Sequence, residues 1–146
     1  MMDPHHFDEP AVLAELGTVF QAYELALMGN DVAALNAFFW QDPRVTRYGI
    51  ADRQWGIAEL EAYRAATPAP AFTRRLEHLR LHAFGPDMAV AQVEFVRSDT
   101  PLRGFQTQTW VRLPDGWRIV AAHVSMIPLG CGMPTIVAPE IPATLP

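Results

Sequence analysis

The stretch "QTQTWVRLPDGWRIVAAHVS", residues 106–125, decides the fold class. Two apolar-rich runs of strand length flank the turn signal Pro-Asp-Gly, so the pattern predicts a β-hairpin. Two registers are open. A two-residue Asp-Gly turn would pair Gln108 with His123, whereas a type I turn followed by a glycine bulge would pair Thr107 with His123. Pro114 favours the second register.

The hairpin closes a longer series of strands. Residues 73–84, 87–97, 103–113 and 117–127 alternate or run apolar over strand lengths, and "GPD", "SDTP" and "PDG" separate them. This spacing predicts a four-stranded antiparallel meander.

Helical periodicity precedes the strands. Residues 9–28 have proline in the first turn and apolar side chains at spacings of three and four, which predicts a long helix. Its apolar stripe comprises Leu13, Leu16, Phe20, Tyr23 and Leu27. Asn30 or Asp31 would cap a second helix through "VAALNAFFW", and "GIAELEAYRAA" predicts a third. Helices followed by a meander predict an α+β domain whose sheet curls around the long first helix.

The 146 residues predict one domain, with 50% apolar content to build its core. We expect a disordered N-terminal end over residues 1–9, the folded domain over 10–128 and a proline-rich extended tail over 129–146. From Pro128 onward, five prolines occur in nineteen residues, which excludes a helix or a central strand there.

Composition argues against several classes of function. A net charge of −5 and a pI near 5.4 argue against a nucleic acid or an anionic membrane as partner. No apolar run approaches the roughly 18 residues of a membrane helix. All eleven basic residues are arginine, which excludes Schiff-base chemistry on lysine. With Cys131 as the single cysteine, we expect a cytoplasmic protein.

Two polar side chains fall within apolar patterns. Tyr23 lies in the stripe of the first helix, so its hydroxyl needs a partner in the core, either a backbone carbonyl or a ligand. In "RVTRYG", Arg47 shares a strand face with Val45 and is expected to point inward. A buried guanidinium must meet an anion, either a protein carboxylate such as Glu94 or the carboxylate of a ligand.

The end of the hairpin far from the turn is rich in hydrogen-bonding groups, namely Gln106, Thr107, Gln108, His123 and Ser125. For His123, a hydrogen-bonded core histidine is the alternative to a role in a site. No glycine-rich phosphate loop, zinc spacing or nucleophile elbow occurs, so we expect no metal and no nucleotide cofactor.

The order of elements, closed by "DGWRIVAAHVS", resembles the NTF2-like (SnoaL-like) cone fold. The strings "YELALMGNDVAALNAFFWQDPRVTRYG", "FGPDMAVAQVEF" and "QTQTWVRLPDGWRIVAAHVSMIP" are similar to the AtzH/HpxZ (DUF3225) family, which is linked to oxalurate catabolism. The likeness covers about residues 10–128.

This resemblance implies a small homodimeric enzyme that needs no cofactor and acts on a small carboxylate or ureido substrate. The activity associated with the family converts 1,3-dicarboxyurea to allophanate with release of carbon dioxide. The catalytic tyrosine of the family matches Tyr23, and the arginine of its R-Y-G string matches Arg47. A cation beside Tyr23 would favour the phenolate and suit the residue to general acid–base catalysis.

The remaining residues of the expected site are Trp40, as a wall of the pocket, and Gln108, His123 and Ser125, as hydrogen-bonding groups for the urea core. The sequence also departs from the family pattern. Phe105 stands where an arginine is expected, and the third helix ends "RAATPAP" without its expected second arginine. The expected site therefore has two cations fewer.

Two other functions remain open, because the NTF2-like fold hosts many activities. The first is a non-catalytic dimeric module for ligand binding or assembly. The second is a proton shuttle like that of ketosteroid isomerases, which would need Glu94 or Asp42 as a carboxylate base in the cavity.

Overall fold

A computed structural model describes residues 1–128 of the chain. The predicted proline-rich tail over residues 129–146, and Cys131 within it, lie outside the described residues. The prediction of an extended tail is therefore not addressed by the structure.

The described chain forms an α+β fold in which helices pack on one mixed sheet. The elements are α1 (Pro10–Met28), α2 (Val32–Ala37), β1 (Thr46–Tyr48), β2 (Arg53–Trp55), α3 (Ile57–Ala66), β3 (Arg74–Ala83), β4 (Met88–Arg97), β5 (Arg103–Leu113) and β6 (Gly116–Ile127). The strand order is β2-β1-β6-β5-β4-β3. The predicted meander β3 to β6 is confirmed. Beyond β6 the sheet continues with β1, which lies in the segment "RVTRYG" predicted as a strand, and with β2, which was not predicted.

The inward face of α1 builds much of the core. Pro10 occupies its first turn, where the missing N–H costs no hydrogen bond. The buried residues of this helix are Val12, Leu16, Phe20, Tyr23 and Ala26. Leu13 and Leu27, which were predicted in the stripe, are partly buried against the same core. Trp110 of β5 and Ile119 of β6 are fully buried in that core.

By length and composition alone, α1 is also apolar enough to cross a membrane. The core helix of a soluble protein passes the same test, so this is weak evidence for a membrane span. Here the apolar stripe of α1 packs within the core of the α+β fold.

The second helix is shorter than predicted. It ends at Ala37, and the aromatic run "FFW" that follows joins the edge of the sheet. Phe39 forms a parallel bridge with Ile119, and the backbone N–H of Trp40 donates to the Ile119 carbonyl at 3.0 Å. These contacts give backbone groups of the run "FFW" hydrogen-bond partners in the sheet, so the run pairs with β6 and does not continue the helix. The predicted cap is confirmed, since the Asp31 carboxylate accepts from the Ala34 N–H at 3.1 Å.

The hairpin β5–β6 pairs Thr107 with His123, as the favoured register predicts. The position of the bulge that produces this register differs from the prediction, which placed it at the turn. Leu113 pairs directly with Gly116, and the register shifts by one residue further along, between Thr109 and Trp110. The irregularity thus lies at a bulge within the sheet rather than at the turn.

Phe7 and Asp8 of the N-terminal end contact residues at the end of β3, and the disorder expected for residues 1–9 stays a prediction. Phe7 bridges to Phe84, and their rings meet edge to face at 5.1 Å. The Asp8 carboxylate accepts from the backbone N–H of Ala83 at 2.8 Å and contacts His82 at 3.1 Å. These hydrogen bonds attach the end to the last residues of β3.

Candidate functional site

A cavity of about 400 Å³ lies between the helices and the inner face of the sheet. Four arginines line it, namely Arg47, Arg64, Arg74 and Arg97. No aspartate or glutamate of residues 1–128 lines it. The lining charge is therefore wholly positive, which favours an anionic ligand.

Three of these arginines already have a carboxylate partner. Arg47 pairs with Asp52 at 2.8 Å, Arg74 with Glu24 at 2.5 Å, and Arg97 with Asp99 at 2.6 Å. Their positive charges are largely neutralised within the protein.

Arg64 is the exception. It lies on α3 and is only 6% exposed, and it forms no ion pair with any acid of residues 1–128. One Nη donates to the Tyr23 hydroxyl at 3.3 Å, and the buried Nε has no hydrogen-bond partner in that part of the chain. A buried guanidinium without an anion is energetically costly, which makes Arg64 a candidate position for binding an anionic group.

Tyr23 is placed beside this cation by α1. The residue is 4% exposed and lines the cavity, and its ring packs edge to face against Phe38 at 5.8 Å and Trp110 at 6.4 Å. Its hydroxyl contacts a guanidinium, whereas the sequence suggested a backbone carbonyl or a ligand. A rigid phenol beside a cation at a cavity wall is suited to proton transfer.

Arg74, on the next wall of the cavity, forms a polar network with Gln106 and with Glu24 behind it. Glu24 accepts from Nε and Nη2 of Arg74, and the same Nη2 donates to Oε1 of Gln106 at 3.1 Å. This donation fixes the amide orientation of Gln106. Its Nε2 is left buried with no acceptor among residues 1–128. Such a donor is satisfied when a ligand supplies a carbonyl oxygen.

Arg47 lies at the cavity and Val45 is buried, in agreement with their predicted shared face, and of the two alternatives for the anion of Arg47 the structure shows a protein carboxylate. Nη1 of Arg47 donates to Asp52 at 2.8 Å and to Gln54 at 2.9 Å. The partner is not Glu94. The turn at Gly49 permits this pair, because a Cβ at Gly49 would collide with the Asp52 carboxylate. Arg47 remains at the cavity, held in one orientation.

Four other predicted site residues are not among those that line the cavity. Gln108 is buried in the core, where its carbonyl accepts from the indole N–H of Trp110. His123 is exposed and contacts Tyr48, and Ser125, two residues further along β6, lies on the same outer face. Trp40 packs against the core beneath Arg44. Val124, on the opposite face of β6 from His123 and Ser125, lines the cavity instead.

The carboxylates required by an isomerase-like proton shuttle lie elsewhere. Glu94 is held by Arg103 at 2.6 Å, and Asp42 is held by Arg44. The hydrogen bonds from Arg44 lower the pKa of Asp42, the opposite of what a general base near neutrality needs.

The two departures from the family pattern have different structural consequences. Phe105 lies on the face of β5 opposite to Gln106, so it is not part of the cavity lining. Thr67 does line the cavity, and its hydroxyl donates to the Tyr63 carbonyl at 2.6 Å. Of the two positions at which the resemblance leads us to expect an arginine, only that of Thr67 lies at this cavity.

The sequence contains a signal for Arg64 that was missed. Ile57, Leu60 and Arg64 follow spacings of three and four, which places the arginine on the buried stripe of α3. The inward position of Gln106 follows from strand alternation only once the register is known.

Residues 1–128 contain no cluster of three or more His, Cys, Asp or Glu side chains that could hold a metal ion.

Comparisons with known proteins agree on one family. The model of the AtzH-like family matches residues 5–129. A protein of unknown function from the DUF3225 family of Pectobacterium atrosepticum has 45% identity and a TM-score of 0.85, over 87% of this chain and 99% of that one. A cystatin-like fold protein from Burkholderia xenovorans has 42% identity and a TM-score of 0.83, over 89% and 100%. No curated protein matches the sequence.

More distant structures share the fold alone. An NTF2-like protein of unknown function from Pseudomonas putida has 18% identity and a TM-score of 0.67, over 80% of this chain and 87% of that one. A putative ketosteroid isomerase from Parabacteroides distasonis has 20% identity and a TM-score of 0.63, over 75% and 85%. These matches support an NTF2-like fold.

Proposed function

The chain belongs to the AtzH-like family, and from this premise we propose that it is a cofactor-free hydrolase or lyase of a small carboxylated urea, such as 1,3-dicarboxyurea or an oxalurate-like compound. The observation that carries the proposal is Arg64, a buried guanidinium without a carboxylate partner in residues 1–128, in contact with the hydroxyl of Tyr23. The reaction belongs to the catabolism of nitrogen compounds.

Arg64 binds the carboxylate of the substrate through its planar fork, which matches the two oxygens of that group. Arg47 is oriented by Asp52 and Gln54 and contacts the adjacent carbonyl. Gln106 supplies its free amide hydrogens to a further acceptor on the urea. These contacts place the nitrogen next to the carboxylate within reach of Tyr23.

On a substrate whose carboxylate is bound to nitrogen, such as 1,3-dicarboxyurea, the chemical step requires only a proton donor. Tyr23 protonates the nitrogen of the N-carboxylate, the bond from that nitrogen to the carboxyl carbon breaks, and its electron pair stays on nitrogen. Carbon dioxide leaves, and the remaining urea carries the new N–H bond. The phenolate, stabilised by Arg64, then recovers a proton from water. General acid–base catalysis of this type contributes typically about 10²- to 10⁴-fold to the rate.

The experiment is a turnover assay that follows release of carbon dioxide and loss of substrate over a panel of carboxylated ureas. We expect Tyr23→Phe and Arg64→Met each to reduce kcat/KM at least about tenfold, with Arg47→Ala also reduced at least about tenfold. Arg80→Ala is the matched control, since Arg80 is exposed and lies outside the cavity lining. Full activity of both Tyr23→Phe and Arg64→Met would contradict the proposal.

A non-catalytic module for ligand binding or assembly is the alternative, because the same cavity and the same unpaired cation also suit a stored ligand. Thermal unfolding with the same panel separates the two functions. A rise in Tm with an oxalurate-like compound and no turnover of any compound would favour the binding module.

We further propose a homodimer in the cytoplasm as the working form. Support for a partner subunit comes from the outer face of the sheet, where Tyr48, Met88 and His123 are exposed. Sedimentation velocity at micromolar concentration tests the dimer, and a monomer at all concentrations would exclude it.

A further inference from the structure

Two buried side chains of the cavity lining, Arg64 and Gln106, each carry a nitrogen that has no hydrogen-bond partner in residues 1–128. Resting on the proposed function, we infer that Gln106 determines specificity for the carbonyl oxygen of the substrate, and that Arg74 and Glu24 are positioning residues that hold its amide in one orientation. The site then selects a urea and rejects a compound of the same shape and charge that has no acceptor in place of that oxygen.

The orientation of the Gln106 amide follows from the chemistry of Arg74. Nη2 of Arg74 donates to Oε1 of Gln106 at 3.1 Å. A guanidinium has five N–H donors and no acceptor, so the oxygen of the amide, and not its nitrogen, must face Arg74. The other end of the amide therefore offers only N–H donors.

Arg74 is itself held in place from two sides. Glu24 accepts from its Nε at 2.5 Å and from its Nη2 at 2.6 Å, which is a bidentate pair, and the ring of Phe95 lies 4.5 Å from its guanidinium. The side chain of Arg74 is 6% exposed and that of Glu24 is 16% exposed. Glu24 is not among the residues that line the cavity, so it acts on a ligand only through Arg74.

The neighbours of Gln106 on the inner face of the sheet supply no acceptor for its Nε2. Across the strands it pairs with Val93 of β4 and Val124 of β6, whose side chains are apolar. Along β5, the next residues on the same face are Gly104, which has no side chain, and Gln108, whose carbonyl already accepts from an indole N–H. We therefore expect the acceptor to come from the cavity, which Gln106 and Val124 line.

A urea oxygen is the acceptor that this donor needs. A buried donor that finds a partner only in the complex makes the loss of that partner costly, and this cost gives selectivity. A guanidine-type analogue would place an N–H group opposite the N–H groups of Gln106, which is unfavourable. The contact involves no charge, so it acts equally on a substrate with one carboxylate or with two.

Isothermal titration calorimetry with two stable probes tests this inference without turnover. The first probe is 3-oxoglutarate, the carbon isostere of 1,3-dicarboxyurea in which CH2 replaces each NH, so that both carboxylates and the carbonyl are kept. The second is 3-methylideneglutarate, which has the same charge and nearly the same shape but has C=CH2 in place of C=O. We expect the wild type to bind 3-oxoglutarate about tenfold more tightly than 3-methylideneglutarate.

Substitutions of Gln106 should remove this preference. In Gln106→Met the donor is lost at nearly constant volume, and in Gln106→Glu a carboxylate takes its place beside Arg74, so both variants should bind the two probes within about twofold of each other. Gln108→Met is the matched control, because Gln108 lies on the same strand and face but not at the cavity, and it should keep the preference of the wild type. Thermal unfolding of each variant checks that it is folded.

The role of Glu24 is tested by the same ratio of affinities. Glu24→Gln removes the anion that holds Arg74, and the freed charge of Arg74 acts on both dicarboxylates alike. The ratio should nevertheless fall at least about threefold, because the amide of Gln106 is no longer fixed. A purely structural role of Glu24 would change both affinities and leave their ratio as in the wild type, which would overturn its assignment as a positioning residue.

The remaining outcomes separate this inference from the proposed function. If the wild type binds both probes equally and Arg64→Met binds neither, the inference is wrong and the proposed function stands. If both Gln106 variants keep the preference for 3-oxoglutarate, another group contacts the carbonyl and the inference is wrong. If neither probe binds the wild type, the inference is also wrong, and the turnover assay on 1,3-dicarboxyurea decides the proposed function by itself.

Discussion

Arg64 and Arg74 allow a comparison at the scale of single residues, because both side chains are buried at the same cavity and only Arg74 has a carboxylate partner in residues 1–128. Glu24, the partner of Arg74, has a side chain that is only 16% exposed. The two arginines should therefore respond differently to the same substitution.

We predict that Arg64→Met leaves the free energy of unfolding within about 1 kcal/mol of the wild type or raises it, since it removes an uncompensated buried charge. Arg74→Met should lower the free energy of unfolding by about 3 kcal/mol or more, because it leaves Glu24 without its partner. Urea denaturation of both variants measures the difference. A larger loss for Arg64→Met than for Arg74→Met would show that Arg64 serves stability rather than ligand binding.

At the scale of single residues, the sequence predicted the kinds of side chain at the cavity better than the groups that those side chains contact. The inward face of Arg47 followed from the alternation with Val45, yet its neutralisation by Asp52 depends on the tight turn after β1, where Gly49 N–H donates to the Asp52 carbonyl. Strand periodicity carries no information on such a turn. Arg47 was the arginine predicted for the site, whereas the buried arginine without a carboxylate partner in residues 1–128 is Arg64 on α3.

Among the elements, β4 and β5 depend on the close approach of Gly104 to Phe95. The two residues are paired across the strands, and a Cβ at Gly104 would overlap the Phe95 ring. We predict that Gly104→Ala lowers the free energy of unfolding by about 1–3 kcal/mol through overpacking.

The matched control for this prediction is Gly17→Ala in α1. Its Cβ would meet only Leu81 at an ordinary 3.8 Å, so this substitution should raise the free energy of unfolding by about 0.5–1 kcal/mol through helix propensity. Equal effects of the two substitutions in guanidinium denaturation would exclude a specific role for the ring contact.

Strands β3, β4 and β5 are also joined by Arg103, which donates to Glu77 and Glu94. Hydrogen bonds from Arg103 and then Arg75 lower the pKa of Glu77 from 4.5 to about 2. Because the folded-state pKa lies below the ordinary value, Glu77 contributes stability above pH 4.5 and loses that contribution as the pH falls toward 2.

Glu77→Gln should therefore flatten the decline of stability between pH 4.5 and pH 2, as measured by denaturant unfolding at several pH values. Glu61→Gln, at an exposed glutamate of α3, should keep the slope of the wild type. An unchanged slope in Glu77→Gln would mean that the ion pairs with Arg103 and Arg75 do not contribute in solution.

Element prediction succeeded where a pattern was long and failed where it was short. The nineteen residues of α1 and the strands β3 to β6 repeat their periods several times. Strand β2 has three residues, too few to show alternation, and it was not predicted, whereas β1 was predicted only as part of the longer segment "RVTRYG". The run "FFW" satisfies a helical spacing equally well, and only the pairing of Phe39 with Ile119 decides its structure.

At the scale of the whole molecule, the central claim is that the cavity binds a carboxylate because it buries the guanidinium of Arg64, which no carboxylate of residues 1–128 neutralises. A ligand that binds only the folded state stabilises it by RT ln(1 + [L]/Kd), about 2.7 kcal/mol at a hundredfold excess over Kd. This stabilisation therefore measures how far the ligand occupies the site, whatever reaction the protein catalyses.

The most direct test is the free energy of unfolding of the wild type and of Arg64→Met, each measured with and without an oxalurate-like ureido carboxylate at about a hundred times its Kd for the wild type. We predict a stabilisation of about 2.7 kcal/mol for the wild type and none for Arg64→Met. Equal stabilisation of the two proteins would show that the carboxylate binds elsewhere and would contradict the account.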